Sequence, residues 1–197
     1  MQTNLIDRVK NIIMTPKTEW PTIEGEPTSV VELYQNYIAI LAAIPVVAQF
    51  LRGVLFGYSV GALGAVRIGL FSGLAHAIVE YVLALVMTYL VALLVSYLAP
   101  YFGGAKDDLR ALKLVAYSYT PAWVAGVFAL IPGLGFLAIV GLWSLYLFYL
   151  GAPRLARVPE DKAIPFTAVA VVAAIVLAFV VGIIVYAIVP GPGFGTM

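Results

Sequence analysis

Cysteine is absent and histidine occurs once, at His76. No disulfide, thiolate nucleophile or thiolate metal site can form. One imidazole beside a carboxylate leaves a tetrahedral metal site two ligands short. Charge is also sparse: 11% of residues are Asp, Glu, Lys or Arg, against ~25% in an ordinary soluble domain. A net charge of +1 provides no basic surface for nucleic acid. The chain has no His-Glu-x-x-His and no paired intramembrane aspartates, two of the patterns that would signal hydrolytic chemistry. No glycine loop is followed by Lys and Ser/Thr to hold a nucleotide phosphate. The expectation is therefore a chain without catalytic residues, metal, cofactor or nucleic-acid partner. A secretory leader is not expected either, because Asp7, Arg8, Lys10 and Asn11 interrupt the first apolar residues. The first true span should direct insertion instead, as in a bacterial or archaeal cytoplasmic membrane.

What is abundant is apolar sequence. The chain is 63% hydrophobic, with a mean hydropathy of +1.03. Five runs are long enough to cross a bilayer: 34–51, 74–98, 114–131, 134–150 and 164–189, spanning the hydrocarbon taking ~17–25 helical residues. Lipid cannot satisfy free backbone N–H and C=O groups, so the spacing predicts an all-α polytopic membrane protein, five transmembrane helices packed as a bundle.

The cations alternate between sides. Arg8, Lys10 and Lys17 precede the first span, Lys106, Arg110 and Lys113 lie between the second and third, and Arg154, Arg157 and Lys162 lie between the fourth and fifth. The intervening segments hold only Arg52 and Arg67. Because cationic loops stay inside, a cytoplasmic N-terminus and an external C-terminus follow. The implied parse is a cytoplasmic segment 1–32, a membrane domain 33–190 and a short external tail 191–197.

Leu5, Ile6, Val9, Ile12 and Ile13 recur on one helical face over Asn4–Met14. Thr3 or Asn4 would cap this amphipathic helix and Pro16 would stop it. It lies either in the membrane interface, with Arg8 and Lys10 near anionic head groups, or against the bundle's own cytoplasmic end. Thr15–Pro21 reads as a rigid elbow with Trp20 as an interfacial anchor, and Glu24–Glu32 as a polar linker. Gly53, Gly57, Gly61, Ala65, Gly69 and Gly73 fall four apart. That spacing suits close helix packing, and it also suits a re-entrant segment or an outer loop; the loop reading, with its last glycines entering the second helix, accommodates Arg67. Asp107 and Asp108 should cap the third helix, and Ile131-Pro132-Gly133 should turn tightly into the fourth.

Ionisable groups inside spans are functional candidates by default. His76 and Glu80 are four apart, so they share a helix face. They could form a proton or cation site, or hydrogen-bond to neighbouring helices as structural glue. In the third span, Tyr117, Ser118, Tyr119, Thr120 and Pro121 make a polar, kinked segment, whose hydroxyls can serve the carbonyl that proline leaves unpaired.

Several stretches, taken in order, resemble the Yip1-domain family in its short bacterial form. They are Thr15-Pro16-Lys17-Thr18-Glu19-Trp20, Leu98-Ala99-Pro100-Tyr101-Phe102-Gly103-Gly104, Ala116-Tyr117-Ser118-Tyr119-Thr120-Pro121, Ile131-Pro132-Gly133-Leu134-Gly135 and Tyr149-Leu150-Gly151-Ala152-Pro153. The resemblance covers nearly the whole chain. It implies five helices with a cytoplasmic N-terminus and a non-enzymatic role in scaffolding or organising membrane proteins or lipids. A homo-oligomer or a partner membrane protein is implied with it. Eukaryotic members act in vesicle traffic with Rab GTPases. This chain departs from them by having Glu32-Leu33-Tyr34-Gln35-Asn36 in place of Asp-Leu-Tyr-Gly-Pro, and by its short N-terminal segment. The competing function is a small channel or transporter using His76 and Glu80.

Overall fold

The structure, a computed structural model, describes residues 4–59, 65–66 and 69–188. Two short helices come first, α1 (Leu5–Met14) and α2 (Pro16–Gly25). Asn4 caps α1, its side chain accepting from the Ile6 amide at 3.4 Å. Pro16 opens α2 at a position where its missing N–H costs nothing. The expected elbow and linker are thus largely helical: the same proline that ends α1 begins α2, and the two helices fold back as a hairpin.

Four longer segments are apolar and long enough to cross a membrane. Of these, α3 (Val30–Leu55) begins with a capping box, in which Ser29 and Glu32 satisfy each other's amides, and carries a π-helical turn at Tyr34–Ile38. The next, α4 (Leu70–Phe102), ends in a 3-10 turn over Ala99–Phe102. Between them Tyr58–Ser59 pairs antiparallel with Ala65–Val66. Gly61 of the glycine series and Arg67 lie outside the described residues, as do residues 189–197 with the tail 191–197. Helix α5 (Asp108–Ala125) is capped by Asp107, which accepts from the Arg110 amide at 3.0 Å. With Asp108, Arg110 and Lys113 in its first turns, it is not among the four most apolar segments. A 3-10 stretch (Gly126–Leu130) and a turn at Gly133, whose φ is +90°, lead into α6 (Gly135–Ala156). The last helix, α7 (Ala163–Ile188), follows a single 3-10 turn at Glu160–Lys162.

The core gathers at the end of the bundle that carries the N-terminal hairpin. Ile12, Trp20 and Ile23 from the hairpin share one cluster with Leu112, Val115, Leu147, Leu155 and Phe166. Helix α5 runs through the middle, with twelve of its eighteen residues buried. Close approach is enforced by small residues: a side chain at Gly126 would meet Pro45 at 2.5 Å, and one at Gly151 would meet Leu114 and Trp20 within 2.8 Å. Towards the opposite end, α4 and α7 present large exposed apolar side chains, among them Phe71, Ile78, Val82, Phe179 and Ile183.

Candidate functional site

Charged residues meet where the hairpin lies along α5. Arg8, only 4% exposed, makes ion pairs with Glu19 and with Glu26, and its guanidinium stacks 5.8 Å from the Tyr117 ring centre. Burial alone would lower the pKa of Arg8, but the hydrogen bond to Glu26 and the charges of Glu26 and Glu19 outweigh it and raise the value above the ordinary one. Lys113, likewise buried, donates to the Ile23 and Glu26 carbonyls at 2.9 and 2.6 Å. Those two carbonyls belong to the C-terminal end of α2, where the helix dipole favours a cation. Arg110 extends the network by pairing with Glu24 at 3.2 Å and Asp107 at 3.5 Å.

The hairpin is also tied at its tip, where Trp143 Nε1 donates to the Ile13 carbonyl at 3.2 Å. Below the ions, Tyr37 and Thr120 share a hydrogen bond at 2.6 Å, and the Tyr37 and Tyr117 rings lie 4.6 Å apart. The π-helical turn in α3 sets Tyr37 in this position. A cavity of about 360 Å³ opens here, lined by Arg8, Glu26, Asn36, Tyr37, Lys113 and Tyr117 among others. Since both basic groups are already engaged by carboxylates or carbonyls, the geometry is that of a lock between hairpin and bundle.

The structure therefore separates the residues singled out from sequence. Arg8 and Trp20 face inwards, whereas Lys10 is exposed. Trp20 is 1% exposed because its indole fills the space left by Gly151 and stands edge-on to Tyr117, with centroids 6.4 Å apart. Of the two placements open for the first helix, Arg8 takes the one against the bundle, with two carboxylates in reach, and the Trp20 indole occupies a glycine-walled slot where its Nε1 has no partner among the described residues. Tyr117, Ser118, Thr120 and Pro121 are buried, and Tyr119 is half-buried. His76 is exposed and Glu80 half-buried on α4, and neither is a member of this network. Among the described residues neither has a hydrogen bond or an ion pair, so they do not pair with each other. Two further cavities are an apolar one of about 680 Å³ beside Phe128 and Trp143, and an internal one of about 50 Å³ beside Ser118 and Ser144. His76 and Glu80 line none of the three.

Sequence reasoning did not single out Glu19, Glu26, Tyr37, Lys113 or Ser144. The spacing of Arg8 and Glu19 holds the clue: with Thr15-Pro16 as a hairpin tip, residues on either side become neighbours.

The model of the Yip1 domain matches residues 10–183. The chain belongs to the Yip1 domain family. It is similar to the inner membrane protein YohC of Escherichia coli strain K12, with 24% identity over 166 residues, covering 82% of this chain and 85% of that protein. The same figures hold for YohC of Escherichia coli O6:H1. No solved structure matches. The match includes the hairpin from Lys10 onward and the long helices, the last of them as far as Ile183.

Proposed function

We propose that this Yip1-family chain is a non-enzymatic, multi-pass protein of the inner membrane that organises membrane proteins, by associating with itself or with a partner membrane protein. In this reading α5 with its 3-10 extension is the fifth span. Residues 1–32 dock on the cytoplasmic end of the membrane domain 33–190, and the tail 191–197 is external. The alternating cations and the inner-membrane relatives support this placement.

One observation carries the association. Among the described residues His76 and Glu80 have no hydrogen-bond or ion-pair partner, and the neighbouring side chains on their helix, Leu74, Ile78 and Val79, are exposed and apolar. Ionisable groups turned towards lipid are costly, while groups turned towards another helix can find polar partners. A second membrane helix on this face satisfies both kinds of side chain at once.

A photo-crosslinking residue at position 80, expressed in native membranes, tests the reading. Adducts to a second copy or to another protein are expected. Adducts to lipid alone contradict it. Transport through His76 and Glu80 would call for a polar cavity containing them, and nothing in the geometry supports that second reading.

A further inference from the structure

The lock between hairpin and bundle leaves several groups unused at the cavity of about 360 Å³ beside it. Lys113 and Tyr117 stand one turn apart on α5, so they share a face, and both line this cavity. The Lys113 ammonium has three donors, and its bonds to the Ile23 and Glu26 carbonyls use two of them. Tyr117 is 8% exposed, with its ring packed against Arg8, Trp20 and Tyr37. Its hydroxyl has no hydrogen-bond partner among the described residues, and it is not fully sealed from solvent. From α3, Glu32 lines the same cavity. Both of its bonds end on Oε2, from the Ser29 amide at 2.9 Å and the Thr28 hydroxyl at 3.5 Å. Its Oε1 has no partner among the described residues.

Charge and position narrow the occupant. The lining carries two cations, Arg8 and Lys113, and two carboxylates, Glu26 and Glu32, while Glu19 also pairs with Arg8. A purely anionic group therefore gains no net attraction there. A zwitterion does better, its anion reaching Lys113 and Tyr117 and its cation reaching Glu32. The two ends lie close along the chain. Lys113 bonds to the Glu26 carbonyl and Glu32 to the Thr28 hydroxyl, and Glu26-Pro27-Thr28 spans at most about 7 Å. Leu5, Leu33 and Ile40 supply apolar wall, and Ile40 is 48% exposed on α3. At 26 residues α3 is about 39 Å long, against ~30 Å of hydrocarbon. Its polar first turns, with Glu32, Gln35 and Asn36, thus reach the head-group layer.

We propose that this cavity binds the head group of a zwitterionic phospholipid bearing a primary ammonium, phosphatidylethanolamine, from the cytoplasmic leaflet. The phosphate accepts from Lys113 Nζ and the Tyr117 hydroxyl, the ammonium donates to Glu32 Oε1, and an acyl chain runs along Ile40. Seated there, the lipid joins the hairpin at Leu5 to α3 and α5. The site rests on the cytoplasmic placement of residues 1–32 and is independent of association at His76 and Glu80.

Native mass spectrometry of the detergent-solubilised protein, titrated with single lipids, reads the preference. Phosphatidylethanolamine should bind about tenfold more tightly than phosphatidylcholine, whose quaternary ammonium cannot donate a hydrogen bond to Glu32. Phosphatidylglycerol, which is net anionic, should also be the weaker ligand. Glu32→Gln keeps the capping box and should abolish the preference over phosphatidylcholine. Tyr117→Phe keeps the ring contacts and should weaken all three lipids alike. Soluble phosphoethanolamine should bind more weakly than the lipid; equal affinity would move the site to a free phosphate ester and overturn the lipid assignment. Equal retention of the three lipids by the parent chain, or a preference that survives Glu32→Gln, overturns the proposal outright.

Discussion

Replacing Arg8 with alanine probes the interaction on which the docked hairpin depends most. The guanidinium is buried, and so is Glu19, at 6% exposed, whereas the Glu26 side chain is one-third exposed. Loss of Arg8 leaves Glu19 as an uncompensated buried carboxylate. Breaking a buried pair in this way costs about 3–5 kcal/mol. Glu26 adds little, since water can solvate it and pairs of that kind are worth ~0–1 kcal/mol. The contact with Tyr117 adds roughly 0.5–1 kcal/mol. For a chain of this length, about 2–4 °C is lost per kcal/mol, so the midpoint should fall by roughly 6–20 °C. Intrinsic tryptophan fluorescence during a thermal ramp reports it, because Trp20 is packed in the same core. The double variant Arg8→Ala/Glu19→Gln removes the stranded charge and should recover part of the loss. A single variant melting within about 1 °C of the parent would refute the idea that the ion pairs hold the hairpin down.

Other outcomes follow from the same packing. Tyr37→Phe leaves Thr120 without its 2.6 Å partner and should destabilise by about 1 kcal/mol; adding Thr120→Val should cost little more, because both ends of the bond are then apolar. Gly126→Leu places a side chain on Pro45, where even a Cβ would come within 2.5 Å, and should lower stability by at least ~1–3 kcal/mol through overpacking. Chemical denaturation of detergent-solubilised protein checks both.

The long helices were legible because apolar length is a composition signal that needs no partner. The ends of α4 and α7 lie within four residues of where hydrophobic runs begin and stop, α6 runs six residues past the end of its run, and Asp107 caps α5 as its position suggested. The hairpin was only half legible. Apolar spacing marks α1, but Pro16 reads as a stop unless one also sees it as the first residue of another helix. The inward turn of Arg8 and Trp20 depends on Glu19, Glu26 and the slot at Gly151, contacts that lie up to some 130 residues away in the chain and leave no local pattern. The 3-10 geometry of Gly135–Leu142 has no sequence signature that periodicity would detect, since its apolar residues fit any helix.

The multi-pass arrangement itself is open to a direct check, aided by the absence of native cysteine. Single cysteines introduced as Thr15→Cys and Gly193→Cys, probed on intact cells with a membrane-impermeant maleimide, report the side of each position. The account expects Gly193→Cys to react from outside and Thr15→Cys to react only after the membrane is opened. Reaction of both from the same side would contradict an odd number of crossings, and with it the fifth span and the cytoplasmic docking of the hairpin.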